Sequence, residues 1–296
     1  MNLHKKALRY IVNKSLYYYN KNRKWPTNHN LFLERIYYYT RFNQMPDFKN
    51  PTSLNEYICH QKFFGDFEKM ALVSDKFRVR KMVKKLAGEK YLLELYDVVN
   101  TPNEITKEKY DSYPLKFVAK PNHASGRVYI NKLKDYEAFQ RGTSHFMREF
   151  GNTKNELHYK HIKPKLIIEE YIEPKEGGLY DLKFYVFKGK VQYILAGRDI
   201  WPRKESDKRR VYDRNWETAW FQRSDNLAKF IKKPNNMHEM IDLAEILAKG
   251  WDFIRVDLYY YDGKIKFGEL TSTPNSGRKK FKPIKAEKDL FTDFLA

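Results

Sequence analysis

Apolar and polar positions follow two different periods along this chain. Over residues 1–70, Leu, Ile and Tyr alternate with Lys and Arg at roughly helical spacing, as in 5–19 and 31–42, and Pro26, Pro46 and Pro51 separate the pieces. Residues 1–19 admit two readings: a face laid on an acidic membrane surface, or an ordinary solvated helix face against the body of the protein. Weak amphipathicity favours the second. From Ser74 the texture changes. The pattern predicts a helix over 75–87, with Ser74 or Asp75 as its N-cap and Gly88 just past its end. Strands follow at 91–99, 116–120 and 128–133, the last two as a hairpin, then a helix over 136–150 and a polar loop over 151–164. A buried strand covers 165–172. Strands 181–187 and 191–196 are joined by the turn Lys188-Gly189-Lys190. Residues 201–226, rich in Arg, Lys, Asp and Trp, read as a long loop of the kind that serves as a lid. A helix over 237–249 precedes a last hairpin, 253–261 with 264–270, about Asp262-Gly263. Antiparallel hairpins after a helical start give a mixed α/β (α+β) class and argue against a doubly wound sheet.

Composition narrows the setting. The chain has 296 residues, 42% of them hydrophobic and 16% aromatic, which supports a sizeable core. No apolar run approaches the ~20 residues of a membrane-spanning helix. Residues 1–20 lack a secretory pattern, and Cys59 stands alone, so a reducing cytoplasm is the expected home. The net charge of +20 draws the protein towards polyanions, although the wealth of Lys, Asn and Tyr also fits a genomic base-composition effect. The helix-turn-helix, zinc-finger and RNA-recognition signatures are missing, which argues against nucleic acid as the partner.

Three segments carry candidate chemistry. A two-residue turn at Asp262-Gly263 sets Asp257 opposite position 268, beside Glu269, so a twist or bulge lets the two carboxylates share a site. Their repulsion is relieved by a hard divalent cation; Mg²⁺ is usually held by one or two carboxylates plus substrate phosphates. The competing reading leaves them as surface residues or pairs them with Arg255 and Lys266. The second segment runs from Phe117 to Arg127: an apolar strand ends in Lys120, and a loop with Ser125 and Gly126 lets backbone amides approach phosphates. It is not a Walker A loop. The third leaves a buried strand as Glu169-Glu170-Tyr171-Ile172, where carboxylates and extended backbone can bond adenine and ribose. Taken singly, the last two also read as a plain hairpin loop and a solvated acidic turn.

In this order the segments resemble the ATP-grasp superfamily: two lobes with antiparallel sheets clasping ATP, here preceded by a helical N-terminal region. The phrases Asp75-Lys76-Phe77-Arg78, Val118-Ala119-Lys120-Pro121-Asn122-His123, Tyr180-Asp181-Leu182-Lys183-Phe184, Tyr212-Asp213-Arg214-Asn215-Trp216 and Gly268-Glu269-Leu270-Thr271-Ser272 are similar to its TupA-like branch, which acts in teichuronopeptide and surface-polysaccharide biosynthesis. The resemblance implies a division into residues 1–70, an N-lobe over 71–166 and a C-lobe over 167–296. It assigns ATP to Lys76, Lys120, His123, Ser125, Gly126, Glu169, Glu170, Tyr171, Ile172, Glu176 and Lys183, and Mg²⁺ to Asp257 and Glu269. Thr271 stands where many relatives carry a metal-binding Asn. Arg255, Lys120 and Lys183 become the catalytic cations. The basic residues Arg198, Arg203, Lys204, Lys208, Arg209 and Arg210 in or beside the long loop read either as guides for an acidic substrate or as a solvated charged loop, and His123, Trp216, Asn275, Ser276 and Gly277 are further candidate substrate contacts. The implied activity is a carboxylate–amine ligase with an acyl-phosphate intermediate, joining an amine or amino acid to a uronic-acid-containing capsule or cell-envelope polysaccharide, at or near the inner membrane face. The alternatives are a glycosyltransferase-like or nucleotide-binding component without ligase activity, against which the absence of an Asp-x-Asp motif counts, and an RNA-binding protein.

Overall fold

The computed structural model describes residues 3–22, 27–174, 178–198, 208–223, 227–228 and 230–295. Helices α1 (Leu3–Lys21) and α2 (Asn28–Phe42) pack on each other at the N-terminal end. Thr27 caps α2 by accepting from the Asn30 amide, and Asn43, at φ 61°, ends it in a left-handed turn. Next come α3 (Leu54–Phe64) and α4 (Phe67–Ser74), capped by Ser53 and Asp66, and then α5 (Val79–Ala87). The helix expected from residue 75 starts four residues later. Asp75 spends its carboxylate on the amides of Phe77 and Arg78, holding a turn between α4 and α5.

Two antiparallel sheets follow. The first has the order β1-β4-β2-β3, from β1 (Leu95–Val99), β2 (Phe117–Pro121), β3 (Tyr129–Asn131) and β4 (Leu166–Glu170). Helices α6 (Lys107–Ser112) and α7 (Tyr136–Thr143) belong to the same part of the chain, and Tyr110 and Phe139 on them pack with Phe117 and Ile168 of the sheet. Because β4 pairs with both β1 and β2, this sheet continues to Glu170, past the division expected at residue 166. The second sheet has the order β10-β9-β5-β6-β7: β5 (Tyr180–Phe187), β6 (Lys190–Arg198), β7 (Arg209–Asp213), β9 (Phe253–Tyr261) and β10 (Lys264–Thr271). Strand β8 (Gln222–Arg223) pairs with β11 (Phe281–Lys282) beside it. The expected long loop over 201–226 is therefore partly sheet; residues 199–207 lie outside the described ones.

Both faces of the second sheet are covered at its centre, so β5 is buried along its whole length and β9 along most of it, while β10 at the edge alternates between buried and more open positions. Leu182, Phe184 and Val186 of β5 face α5 and α8 (Met237–Leu247). Tyr185 and Phe187 face α3 and α9 (Ala286–Phe294). Side chains alternate along a strand, so Asp181 and Lys183 share the face of Tyr185 and Phe187. There the apolar cover stops and the charges begin.

Glu287 in α9 is buried, and its Oε1 has no hydrogen-bond partner among the described residues. Burial pushes its carboxyl up to about 7 despite help from Asn55 and the Phe281 amide. The unfolded chain gives up this proton near pH 4.5 while the folded chain keeps it to about 7, so the charge opposes folding across that window and above it. Glu287→Gln should therefore raise the melting temperature above pH 7, with a gain on the order of 2 kcal/mol, and should do little below pH 4.5. Melting curves across that range check both halves.

Candidate active site

The β9–β10 hairpin turns at Asp262 (φ 48°) and Gly263 (φ 74°), as its Asp-Gly pair predicts. Its register is regular to Phe267 opposite Leu258. A bulge at Gly268 then sets Glu269 directly opposite Asp257. Glycine suits the bulge, because an added Cβ would lie 3.0 Å from the Asp257 carbonyl oxygen and 3.2 Å from the Tyr259 ring, a fit that the neighbours would have to relax by a few tenths of an ångström to accept. Local backbone geometry thus brings the two carboxylates face to face.

Their neutralisation is internal. Arg255, two residues before Asp257 and so on the same face, donates from Nε to Asp257 Oδ1 at 2.6 Å and from Nη2 to Oδ2 at 2.7 Å. The same Nη2 reaches Glu269 Oε1 at 2.9 Å and Thr271 Oγ1 at 3.1 Å, and the Thr271 hydroxyl donates to Glu269 at 3.2 Å. Lys183 of the neighbouring strand donates to Asp257 at 2.7 Å and to Asp181 at 2.8 Å. Burial works against the Asp257 carboxylate, yet Arg255 and Lys183 hold its pKa below the ordinary value. Burial likewise works against the Arg255 cation, and Asp257 and Glu269 overcome it. Lys266 takes no part: it donates to the carbonyls of Lys90 and Leu92.

From the first sheet, Lys120 on β2 forms an ion pair with Glu169 on β4. Lys76 donates to the Ala124 carbonyl at 2.6 Å and its amide donates to the Asn122 carbonyl, which ties the α4–α5 turn to the loop after β2. Burial lowers the Lys76 pKa, Glu269 opposes that shift and Lys120 adds to it. A cleft of about 270 Å³ runs between the two sheets. Val118, Ile130, Ile172 and Leu179 are its apolar walls; Lys76, Lys120, Lys183, Asp257 and Glu269 are its charged end. Ser125, Gly126, Glu170 and Tyr171 also line it, and so do Arg127, Asp181 and Tyr259, which the sequence did not single out as contacts. Tyr259 was available to strand alternation, being two residues beyond Asp257. Its hydroxyl pKa is raised well above the ordinary value by burial and then by Asp181 and Glu269.

The other expected contacts go elsewhere. His123 is buried outside the cleft lining, its ring against the Arg148 carbonyl and Asn122. Trp216 stacks on Tyr212 at 4.4 Å and donates to the Ile231 carbonyl, as a core residue. Ser276 and Gly277 pack on α3: Ser276 accepts from Lys62, and a Cβ on Gly277 would lie 2.7 Å from the Asn55 carbonyl oxygen. Asn275 shares their left-handed turn at φ 52°. Arg210 donates to the Ala228 carbonyl, Arg198 lies over the Tyr180 ring, and Arg209 approaches Asp181 at 3.8 Å. Lys208 is exposed; Glu176, Arg203 and Lys204 lie outside the described residues.

A family model described as TupA-like ATPgrasp matches residues 57–295. The chain belongs to this ATP-grasp family. Among solved structures, the D-alanine–D-alanine ligase of Helicobacter pylori is similar at 16% identity and a TM-score of 0.46, with 76% of this chain and 62% of that one covered. The ATP-bound D-alanine–D-alanine ligase of Bacillus anthracis is similar at 14% identity and TM-score 0.41, covering 69% and 55%. The ATP-grasp ligase PsnB, complexed with a phosphomimetic variant of its minimal precursor, Mg and ADP, stands at 15% and 0.43, covering 76% and 60%. The chain spans little more than half the length of these structures. No curated protein matches it. In this ATP-grasp chain, Asp257 and Glu269 place carboxylate oxygens, the donor type a hard divalent cation takes, at the charged end of the cleft, with the Thr271 hydroxyl beside Glu269 and both Asp257 oxygens accepting from Arg255 and Lys183. Among the described residues no helix is long and apolar enough to cross a membrane.

Proposed function

We propose that the protein is an ATP-dependent carboxylate–amine ligase. The observation that carries this reading is the single cleft that gathers Lys76, Lys120 and Lys183 with the facing pair Asp257 and Glu269. The apolar walls of Val118, Ile130 and Leu179 suit the faces of adenine, and the backbone of residues 169–172 its edge. Lys76 and Lys120 receive the phosphates, and Arg255 and Lys183 hold the two carboxylates in place and neutralise the reacting end. Magnesium, held by Asp257 and Glu269, would neutralise β- and γ-phosphate charge.

A substrate carboxylate oxygen attacks the γ-phosphorus, and the bond to the bridging oxygen breaks, releasing ADP. An amine nitrogen then attacks the acyl carbon of the resulting acyl phosphate, loses a proton, and phosphate leaves as the amide forms. The acidic partner we assign is a uronic-acid-containing glycan or its precursor, in keeping with the net charge of +20. The amine partner is an amino acid.

The test is ADP release with ATP, magnesium, uronic-acid glycan fragments and a panel of amino acids. Release that requires both partners, with an amide-linked product seen by mass spectrometry, is the expected result. Sugar transfer without ADP, or RNA binding that ATP leaves unchanged, would overturn the reading.

A further inference from the structure

Helix α1 presents apolar residues on two opposite faces. The apolar Val12 and Leu16 are buried against the rest of the molecule, and the next residue on their face, the polar Asn20, is buried with its amide donating to Asn152 and Asn155. The opposite stripe holds Leu3, Tyr10, Ile11, Tyr17 and Tyr18, with Ile11 58% and Tyr18 67% exposed. An inward and an outward apolar stripe cancel in the helical periodicity, which is why the sequence reads as weakly amphipathic. Lys6, Lys14 and Lys21 lie in or beside the outward stripe, and α1 contains no acidic residue.

We propose that this outward face of α1 docks on an anionic lipid bilayer. Charge complementarity selects that occupant. A stripe built for another protein's apolar patch gains nothing from a border of cations, whereas lysine stems can lie along the apolar surface while their ammonium groups reach lipid phosphates. Tyrosine rings, apolar in body and polar at the tip, favour the headgroup level. The net charge of +20 draws the whole chain to the same surface. The ATP cleft, built from residues beyond 70, takes no part in the contact, so this docking stands apart from the ligase reading.

The full chain is sedimented with vesicles of equal parts phosphatidylcholine and phosphatidylglycerol, and with vesicles of phosphatidylcholine alone. Binding to the first, weakened by salt and about tenfold or more stronger than to the second, is expected. Ile11→Glu and the pair Lys6→Glu with Lys14→Glu should each lower the partition coefficient about tenfold. Their melting temperatures should match the parent, since the replaced side chains face outward. Equal binding to both vesicle types, or to neither, overturns the proposal. So does a concentration-dependent dimer in ultracentrifugation that Ile11→Glu disperses, because the stripe would then serve a second copy of the chain.

Discussion

Glu269→Gln is expected to reduce ATP-dependent turnover by about 10²–10³-fold or more while the protein stays folded. The substitution keeps the shape, and an amide oxygen can still accept from Arg255 and Thr271, the present partners of Glu269 Oε1. What disappears is one of two facing charges at the reacting end of the cleft, and with it half of the carboxylate set for a hard cation. Glu269 is the better probe of the pair. Asp257 is buried under three charge-assisted hydrogen bonds, so its neutralisation would strand Arg255 and Lys183 and confound activity with stability. Glu287→Gln supplies the control: the same chemical change outside the cleft lining should leave ADP release untouched. Full turnover in Glu269→Gln, measured beside an unchanged melting temperature, would remove the metal assignment.

Features written in local chemistry were legible in the sequence. The Asp262-Gly263 turn placed the last hairpin, and its register brought Asp257 near Glu269. That a twist or bulge was needed to set them face to face was legible; its place at Gly268 was not, because an isolated glycine in a strand does not announce which neighbour it avoids. Ser74 and Asp75 were recognisable as capping residues, but the cap signal could not say that Asp75 would hold a turn between two helices. The charged stretch after residue 200 hid Val211 and Tyr212, which sit in the core as part of β7, and made Trp216 look like a ligand contact. Asn275, Ser276 and Gly277 have the composition of a binding loop. Their turn is shaped instead by α3, more than 200 residues earlier in the chain, and pairings across such distances leave no trace in a window of sequence.

The largest expected loss of stability comes from that same place. Glu34 on α2 is fully buried between Lys62 of α3, at 2.8 Å, and Arg278, which holds it with two hydrogen bonds of 2.9 and 2.6 Å. Lys62 also donates to Ser276 and to the Lys154 carbonyl, and Asn155 donates to Glu34 at 2.8 Å. Glu34→Gln leaves two buried cations sharing one neutral partner, a loss of about 3–5 kcal/mol, or a melting temperature lower by ~10 °C. Lys62→Met should cost less, because Glu34 and Arg278 keep their paired geometry. The pH dependence gives an independent measure. Burial alone would raise the Glu34 pKa, but Arg278 and Lys62 hold it at about 2 against 4.5 for a free carboxylate. This stabilisation is complete above pH 4.5 and is lost as pH falls towards 2, on the order of 3 kcal/mol in all. The parent should therefore show an acid-induced loss of stability that shrinks in Glu34→Gln, leaving the two proteins closer at low pH than at neutrality. Parallel melting curves at all pH values would mean that the triad is indifferent to charge. Because Arg278 and Ser276 follow β10, the strand that carries Glu269, the triad ties the N-terminal helices to the backbone leaving the active site.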